Sequence, residues 1–307
     1  MATKRPKRML QSPKSQRRPS PQSSVPGYTL REPVAVLSTS VAYLATSGDG
    51  TFMVRVLDAA CSGVDAARQA FVHETHLTER VGHPSVPQVL RSGLSDDGRP
   101  VLVQPFPEGP TLVGLTAKGP LGVEDALDFL DQGLDSLRAM HEAGVVHGAI
   151  TPHSWFFAWD GVLRVVDLAV AASDRAPGLL PQAFPFPLFR APELDAGNVS
   201  PTPASDIYSL AACVVYALTK DACRPLVRTE LSRELEALGV PRGVAHVIGT
   251  ALVLDPTCRY PHAVDMHTQL SQAIHGSKRK PCVRQQEVTG ERLRKGVVPP
   301  RNSSAAS

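Results

Sequence analysis

The sequence has no apolar run long enough to cross a membrane. Its longest unbroken apolar stretch, Leu210 to Leu218, is about half of the roughly 18 residues that a membrane-spanning helix needs, so we expect a buried helix there. No apolar stretch follows the basic amino terminus, as one would in a signal peptide. The five cysteines have no Cys-x-x-Cys spacing, which argues against a metal or redox site. These absences predict a cytoplasmic protein with reduced cysteines.

Acidic residues are scarce at both ends of the chain. Residues 1–26 contain seven Lys or Arg and no acid, and residues 277–307 contain eight with two acids. The residues between them carry 17 basic and 27 acidic side chains, so the net charge of +3 divides into an acidic body and basic ends. Pro, Ser and Gln accompany these charges, a composition typical of disorder. We expect both ends to be disordered basic tails, either solvated or in contact with an anionic surface.

The hydrophobic periodicity changes along the body of the chain. Residues 27–108 contain short alternating runs such as TFMVRVL (51–57) and RPVLVQPF (99–106), with one amphipathic helical stretch at 64–82. Helical patterns then follow at 124–144, 206–219 and 262–274. The sequence therefore predicts an α+β protein with a small β-rich lobe over residues 27–108 and a larger helical lobe over residues 109–276.

Five motifs of the body follow one another in a fixed order. They are MHEAGVVH (140–147), VLRVVDLAV (162–170), RAPEL (190–194), SDIYSLA (205–211) and DPTCRY (255–260). Together they resemble the eukaryotic-type Ser/Thr protein kinase family, which is also widespread in bacteria, and the likeness covers about residues 28–275. The resemblance implies the two-lobed protein kinase fold.

The resemblance also implies a structural framework. Glu193 would form a buried ion pair with Arg259, and breaking such a pair strands a charge at a cost of about 3 to 5 kcal/mol. Asp206 would accept hydrogen bonds from backbone amides of the catalytic loop, and His147 would pack against the residue after Asp167. These four residues (His147, Glu193, Asp206 and Arg259) hold the fold and take no part in the chemistry.

The catalytic loop departs from the family pattern. In HGAITPHS (147–154), Gly148 stands at the arginine position, Ala149 at the general base, Thr151 at the lysine and Ser154 at the metal-binding asparagine. A methyl group cannot accept a proton, so no catalytic residue of this loop is intact.

The nucleotide-binding strands depart from the pattern as well. Ala35, Leu37 and Ser40 stand at the positions of the three glycines that let the backbone approach the phosphates. Arg55 replaces the phosphate-binding lysine, and arginine is longer and forked. Its helix partner Glu74 is retained, so an Arg55–Glu74 pair would tie the strand to the helix.

The adenine and metal positions of the nucleotide site also lack some of the residues that the family has there. Met53 stands where the family has alanine against the adenine ring, and its flexible thioether chain fills part of that slot. The resemblance places the hinge at Gln104 to Phe106. Asp167 remains at the metal-ligand position without its second ligand, since Ser154 replaces it, and is equally well a structural aspartate. Any ATP would bind with weak or no Mg²⁺.

The activation segment has no site for phosphorylation. Residues Asp174 to Val199 contain no Ser, Thr or Tyr, and Phe186 stands where the family usually has threonine. The stretch from Leu179 to Phe189 is instead rich in Pro, Leu and Phe. It either packs on its own lobe or forms a docking surface for a protein partner.

These observations predict a pseudokinase that acts in signalling as a noncatalytic scaffold or allosteric regulator. Two alternatives remain: a weakly active Ser/Thr kinase, or a protein that binds ATP without transferring phosphate. Both would use Arg55, Glu74, Gln104, Phe106 and Asp167.

Overall fold

A computed structural model describes most of the body of the chain. The described residues are 24–37, 39–48, 50–63, 65–168, 187–196, 199–221 and 228–276. The predicted tails therefore lie outside the described residues, except for residues 24–26. Composition assigns Ser24 and Val25 to the amino-terminal tail, whereas in the structure Val25 is buried and the Ser24 carbonyl accepts a hydrogen bond from the Asp96 amide.

A five-stranded antiparallel sheet forms the amino-terminal lobe. Its strands lie in the order β1-β2-β3-β5-β4. Their bounds are β1 Thr29–Val36, β2 Ser40–Ser47, β3 Gly50–Leu57, β4 Arg91–Leu94 and β5 Pro100–Pro105. Hairpins join β2 to β3 and β4 to β5, where the sequence has the turn-forming segments SGDG (47–50) and SDDG (95–98).

The alternation of side chains in β3 gives the sheet two different faces. Val54 and Val56 belong to an apolar cluster on one face, together with Val101 and Val103 of β5. Successive side chains of a strand point to opposite faces, and Met53 accordingly lies in a separate cluster that includes residues of the second lobe. The face that carries Met53 and Arg55 is therefore the one turned toward the other lobe.

Helix α1 (Asp65–Val81) packs against the sheet with its apolar side. Phe71 contacts Leu57 and Leu102 in one buried cluster. Farther along the helix, Leu77 and Val81 join the core of the second lobe. Helix α1 thus contacts both lobes and sets the position of Glu74 between them.

The carboxy-terminal lobe is mainly helical and confirms the predicted α+β, two-lobed architecture. Its elements are α2 Leu112–Leu115, α3 Val123–Glu142, β6 Trp155–Phe157, β7 Leu163–Val165, α4 Pro203–Thr219, α5 Arg228–Ala237, α6 Arg242–Ala251 and α7 Ala263–Gly276. The β6 and β7 strands form a small antiparallel sheet.

Helix α4 lies at the centre of this lobe. Thr202 caps its first turn in a capping box with Ser205, and Pro203 occupies the first helical position. The apolar run from Leu210 to Leu218 is buried in α4 almost throughout, as predicted. Within the described part of the chain, no helix has both the length and the apolar content to cross a bilayer.

The segment between the lobes lies directly against β6. The Phe157 amide donates to the Pro110 carbonyl at 2.9 Å, and the Trp159 amide donates to the Glu108 carbonyl at 2.7 Å. A Cβ on Gly109 would lie 1.9 Å from the Phe157 carbonyl oxygen. Only glycine allows this backbone approach.

We therefore expect Gly109→Ala to destabilise the protein. The added Cβ is fixed by the backbone of residue 109 and meets backbone atoms of Phe157 and Ala158, so no side-chain rotation can relieve the clash. We expect a loss of at least about 2 kcal/mol in the free energy of unfolding. Urea denaturation measures this loss. The control is Gly119→Ala, since no atom lies within 4 Å of the added Cβ; equal effects of the two substitutions would contradict the prediction.

Candidate functional site

Arg55 on β3 and Glu74 on α1 form a buried two-armed ion pair. Arg55 Nη1 contacts Glu74 Oε1, and Arg55 Nη2 lies 2.9 Å from Glu74 Oε2. Each side chain is only 1% exposed. The Phe71 ring lies 5.6 Å from the Arg55 guanidinium carbon and shields one side of it. Burial opposes charging of the guanidinium, but Glu74 and Asp167 outweigh it and raise the pKa of Arg55, so the arginine stays cationic.

The same guanidinium binds Ser40, the first residue of β2. Arg55 Nε and Nη2 donate to Ser40 Oγ at 3.2 and 3.1 Å. Ser40 is 1% exposed. The hydroxyl therefore satisfies donors of the arginine fork that would otherwise be buried without a partner.

Asp167 extends this contact into the second lobe. Arg55 Nη2 lies 3.3 Å from Asp167 Oδ1, and Glu74 Oε1 accepts a hydrogen bond from the Leu168 amide at 2.7 Å. Asp167 has a φ of 78°, a backbone conformation that non-glycine residues seldom adopt. The Asp167 carboxylate, at the predicted metal position, thus contacts the Arg55 guanidinium.

An apolar group, which we call the cleft cluster, fills the space beside Arg55. Its four amino-terminal members come from β1 to β3, and its two carboxy-terminal members come from β6 and the chain just after β7; the six are Ala35, Leu37, Ala42, Met53, Phe156 and Val166. Met53 is fully buried and Phe156 is 1% exposed. Two of the three residues at the predicted glycine positions, Ala35 and Leu37, are therefore core residues.

The hinge is poor in hydrogen-bond donors. Gln104 Nε2 donates to the Pro87 carbonyl at 2.6 Å, so this side chain is committed to the protein. Phe106 is partly buried against the cleft cluster. Pro105 and Pro107 have no amide N–H. Neither proline was among the predicted site residues, although the Pro-x-Pro pattern that starts at the last residue of β5 was the available signal.

The catalytic-loop segment hydrogen-bonds mainly to itself. Ala149 is 1% exposed, and its amide donates to His147 Nδ1 at 3.3 Å. The Thr151 amide donates to Ser154 Oγ at 3.1 Å, and the two hydroxyl oxygens lie 3.4 Å apart. The side chains at the predicted lysine and asparagine positions therefore bind one another across a short turn.

Asp206 on α4 anchors this loop. Its carboxylate accepts hydrogen bonds from the amides of His147 at 2.8 Å and Gly148 at 2.7 Å, and its Oδ2 also lies 3.0 Å from His141 Nε2. Gly148 has a φ of 72°, which favours glycine at this position. His147 Nε2 contacts the carbonyl of Val166, the residue before Asp167.

Glu193 and Arg259 form a second ion pair, in which Arg259 is buried and Glu193 is 14% exposed. Arg259 Nη1 and Nη2 each lie 2.8 Å from a Glu193 oxygen, and Arg259 Nε donates to the Val253 carbonyl at 2.6 Å. The Tyr208 ring of α4 lies 4.7 Å from the guanidinium carbon. The pair joins α4 to the segments on either side of it.

Most of the predicted docking stretch, residues 179–186, lies outside the described residues. Of the remaining stretch, Leu188 is 46% exposed, whereas Phe189 is buried and packs edge-on against Tyr216 at 5.6 Å. Phe189 is therefore a packing residue, and Leu188 is the described apolar side chain that faces solvent.

The residues of the cleft differ from those that the family uses to bind a purine nucleotide. Met53 and Phe156 pack in one cluster beside the position that the resemblance gives to the adenine ring. Pro105 and Pro107 have no amide N–H, so Phe106 is the residue of 105–107 that could donate one to a ring nitrogen. A phosphate-bound divalent ion would need Asp167, which contacts Arg55. No chemical step is therefore assigned to a nucleotide here.

A family model described as the protein kinase domain matches residues 40–238. Serine/threonine-protein kinase PknK of Mycobacterium tuberculosis is 29% identical over 220 residues, which is 66% of this chain and 20% of that protein. Serine/threonine-protein kinase PrkC of Bacillus subtilis is 26% identical over 222 residues, 68% of this chain and 34% of that protein.

The structural comparison agrees with the family match. The crystal structure of the M. tuberculosis PknI kinase domain superposes with a TM-score of 0.62 at 19% identity, covering 82% of this chain and 97% of that chain. This likeness shows the two-lobed fold. The chain spans only 20% and 34% of the two curated relatives above, so the activities of those whole proteins do not transfer with it.

We expect Arg259→Ala to lower the free energy of unfolding by about 3 to 5 kcal/mol, because it leaves the Glu193 carboxylate without its partner in a largely buried site. The matched control is Arg138→Ala. Arg138 also contacts two carboxylates, Asp135 and Glu142, but its side chain is 40% exposed, so we expect a loss below about 1 kcal/mol. Urea denaturation of both variants measures the difference; similar losses would show that burial of the Arg259 pair adds nothing.

Proposed function

Because this chain belongs to the protein kinase domain family, we propose that it is a noncatalytic member, a pseudokinase, which acts by binding a protein partner. The observation that carries this proposal is Ala149 at the general-base position. Its side chain is a buried methyl group that cannot take a proton from a substrate hydroxyl. Loss of general-base catalysis alone lowers a rate by about 10²- to 10⁴-fold.

The surrounding loop supports the same proposal. Thr151 and Ser154 stand at the positions of two further charged or metal-binding groups and hydrogen-bond with each other. The Thr151 hydroxyl lacks the positive charge of the lysine whose position it takes, and the Ser154 hydroxyl replaces the amide oxygen of the metal-binding asparagine. Restoration of one residue would therefore leave the others missing.

Packing of the cleft supports a role without nucleotide. The cleft cluster joins the lobes through apolar contacts, chiefly those of Met53 and Phe156. Burial of such side chains stabilises the protein by about 1.5 to 3 kcal/mol each, and nucleotide entry would have to reverse part of this gain. We therefore propose that the protein acts through a binding surface and does not catalyse a reaction.

Regulation by phosphorylation of the activation segment is unavailable to this chain, because residues 174–199 contain no hydroxyl side chain. We propose that the Pro- and Phe-rich stretch from Leu179 to Phe189 contributes to a partner-binding surface, with Leu188 as its described exposed member. A scaffold or allosteric regulator of signalling is the function that fits these features.

The proposal predicts that ATP does not change the melting temperature of the full chain, with or without Mg²⁺. A ligand at 100 times its dissociation constant would stabilise the protein by about 2.7 kcal/mol, which is a shift of roughly 5 to 10 °C for a domain of this size. A thermal-shift titration to millimolar ATP measures this.

Phosphate incorporation from labelled ATP is the second arm of the test, and we expect none above background for the wild type or for Asp167→Asn. A Mg²⁺-dependent thermal shift together with incorporation that disappears in Asp167→Asn would establish a kinase instead. Incorporation that persists in Asp167→Asn identifies a contaminating enzyme and leaves the thermal shift to decide the result.

A further inference from the structure

We propose that Ser40, Arg55, Glu74 and Asp167 form a latch that holds the two lobes together without nucleotide. We call these four residues the Arg55 latch. The inference deepens the proposed function, since it names what closes the cleft of a protein that does not use ATP. It stands on the contacts of one buried guanidinium.

The latch joins four separate segments of the chain at one point. Arg55 lies on β3, Ser40 begins β2, Glu74 is on α1, and Asp167 follows β7 in the other lobe. The guanidinium contacts all three partners, at 2.9 Å to Glu74 Oε2, 3.1 Å to Ser40 Oγ and 3.3 Å to Asp167 Oδ1. All four residues are at most 4% exposed, so water cannot readily replace these contacts.

Only arginine can make this set of contacts. Its planar group carries five N–H donors in a fixed fork, whereas lysine presents a single compact ammonium. Arg55 uses Nε and Nη2 on Ser40 while Nη1 and Nη2 bind Glu74. Glycine at position 40 would leave the Nε–H of Arg55 buried without this acceptor. The serine and the arginine, both departures from the kinase pattern, therefore depend on each other.

The latch places a cation of the protein itself beside the predicted metal position. One guanidinium lies between the carboxylates of Glu74 and Asp167, so it offsets one of the two buried negative charges, and burial raises the pKa of the Glu74 carboxyl. A divalent ion bound to Asp167 Oδ1 would lie close to that guanidinium and be repelled by it. A regulator that opens the lobes must therefore break the arginine contacts and cannot act simply by removing a ligand.

Exchange of the Leu168 amide proton reports on the latch, because this amide donates to Glu74 Oε1 across the lobes. In hydrogen-exchange measurements on the full chain, we expect Arg55→Lys to raise the Leu168 exchange rate by about tenfold or more, as expected when a charged, buried hydrogen bond is lost. Amides in the middle of α4 should keep their wild-type rates. Arg55→Lys retains the charge, so loss of the fork is what is tested.

Ser40→Ala is the milder variant and keeps the test valid if Arg55→Lys does not fold. We expect it to raise Leu168 exchange roughly 3- to 10-fold in the wild-type background and to have no further effect in the Arg55→Lys background, because the two side chains act as a unit. The control is Ser136→Ala, which removes another buried hydroxyl, one bonded within α3 to the Gln132 carbonyl. It should leave Leu168 exchange unchanged.

Unchanged Leu168 exchange in Ser40→Ala would overturn the latch, and so would independent, additive effects of the two substitutions. These outcomes are separate from the test of the proposed function. ATP binding by the wild type would refute the noncatalytic assignment while the exchange data still decide the latch. If ATP leaves the melting temperature unchanged and Leu168 exchanges at the wild-type rate in the variants, the latch is refuted and the pseudokinase proposal stands.

Discussion

A single buried guanidinium determines how the two lobes meet. Arg55 lies between the carboxylates of Glu74 and Asp167, and a buried cation of this kind is tolerated only when its hydrogen bonds are satisfied. Ser40 supplies the acceptor for its remaining side. Helix α1, the sheet and the chain after β7 are consequently fixed relative to one another, and the cleft cluster packs in the space that this arrangement defines.

The residues that hold the fold differ from those at the catalytic positions. Asp206 holds the loop at His147 and Gly148, and the Glu193–Arg259 pair joins α4 to its neighbours. Both are buried networks in which loss of one partner leaves an unpaired charge, so they are costly to remove whatever the protein does. Ala149, by contrast, contributes a methyl group to the core and requires no partner. A chain can therefore keep the kinase frame after the groups that act on a substrate have been replaced.

The sequence predicted the elements that depend on local pattern. The alternation in β3 and β5, the amphipathic α1 and the apolar α4 all lie where the periodicity places them, because side-chain period and burial are coupled in strands and helices. The pairing of Arg55 with Glu74 was also accessible, since both positions follow from the motif order. The prolines at 105 and 107 were readable but overlooked. Phe156 gave no signal, since an aromatic residue after a loop is consistent with any packed strand.

The order of residues identifies which groups are present: a methyl at the base position, an arginine in place of the lysine, a thioether beside the adenine position. Apart from the Arg55–Glu74 pair, the contacts of those groups follow from three-dimensional packing. Ser40 and Asp167 are 15 and 112 residues from Arg55 along the chain, and no local pattern relates them. Their meeting depends on how β2 pairs with β3 and on how the lobes close, because contacts between distant segments are set by packing of whole elements.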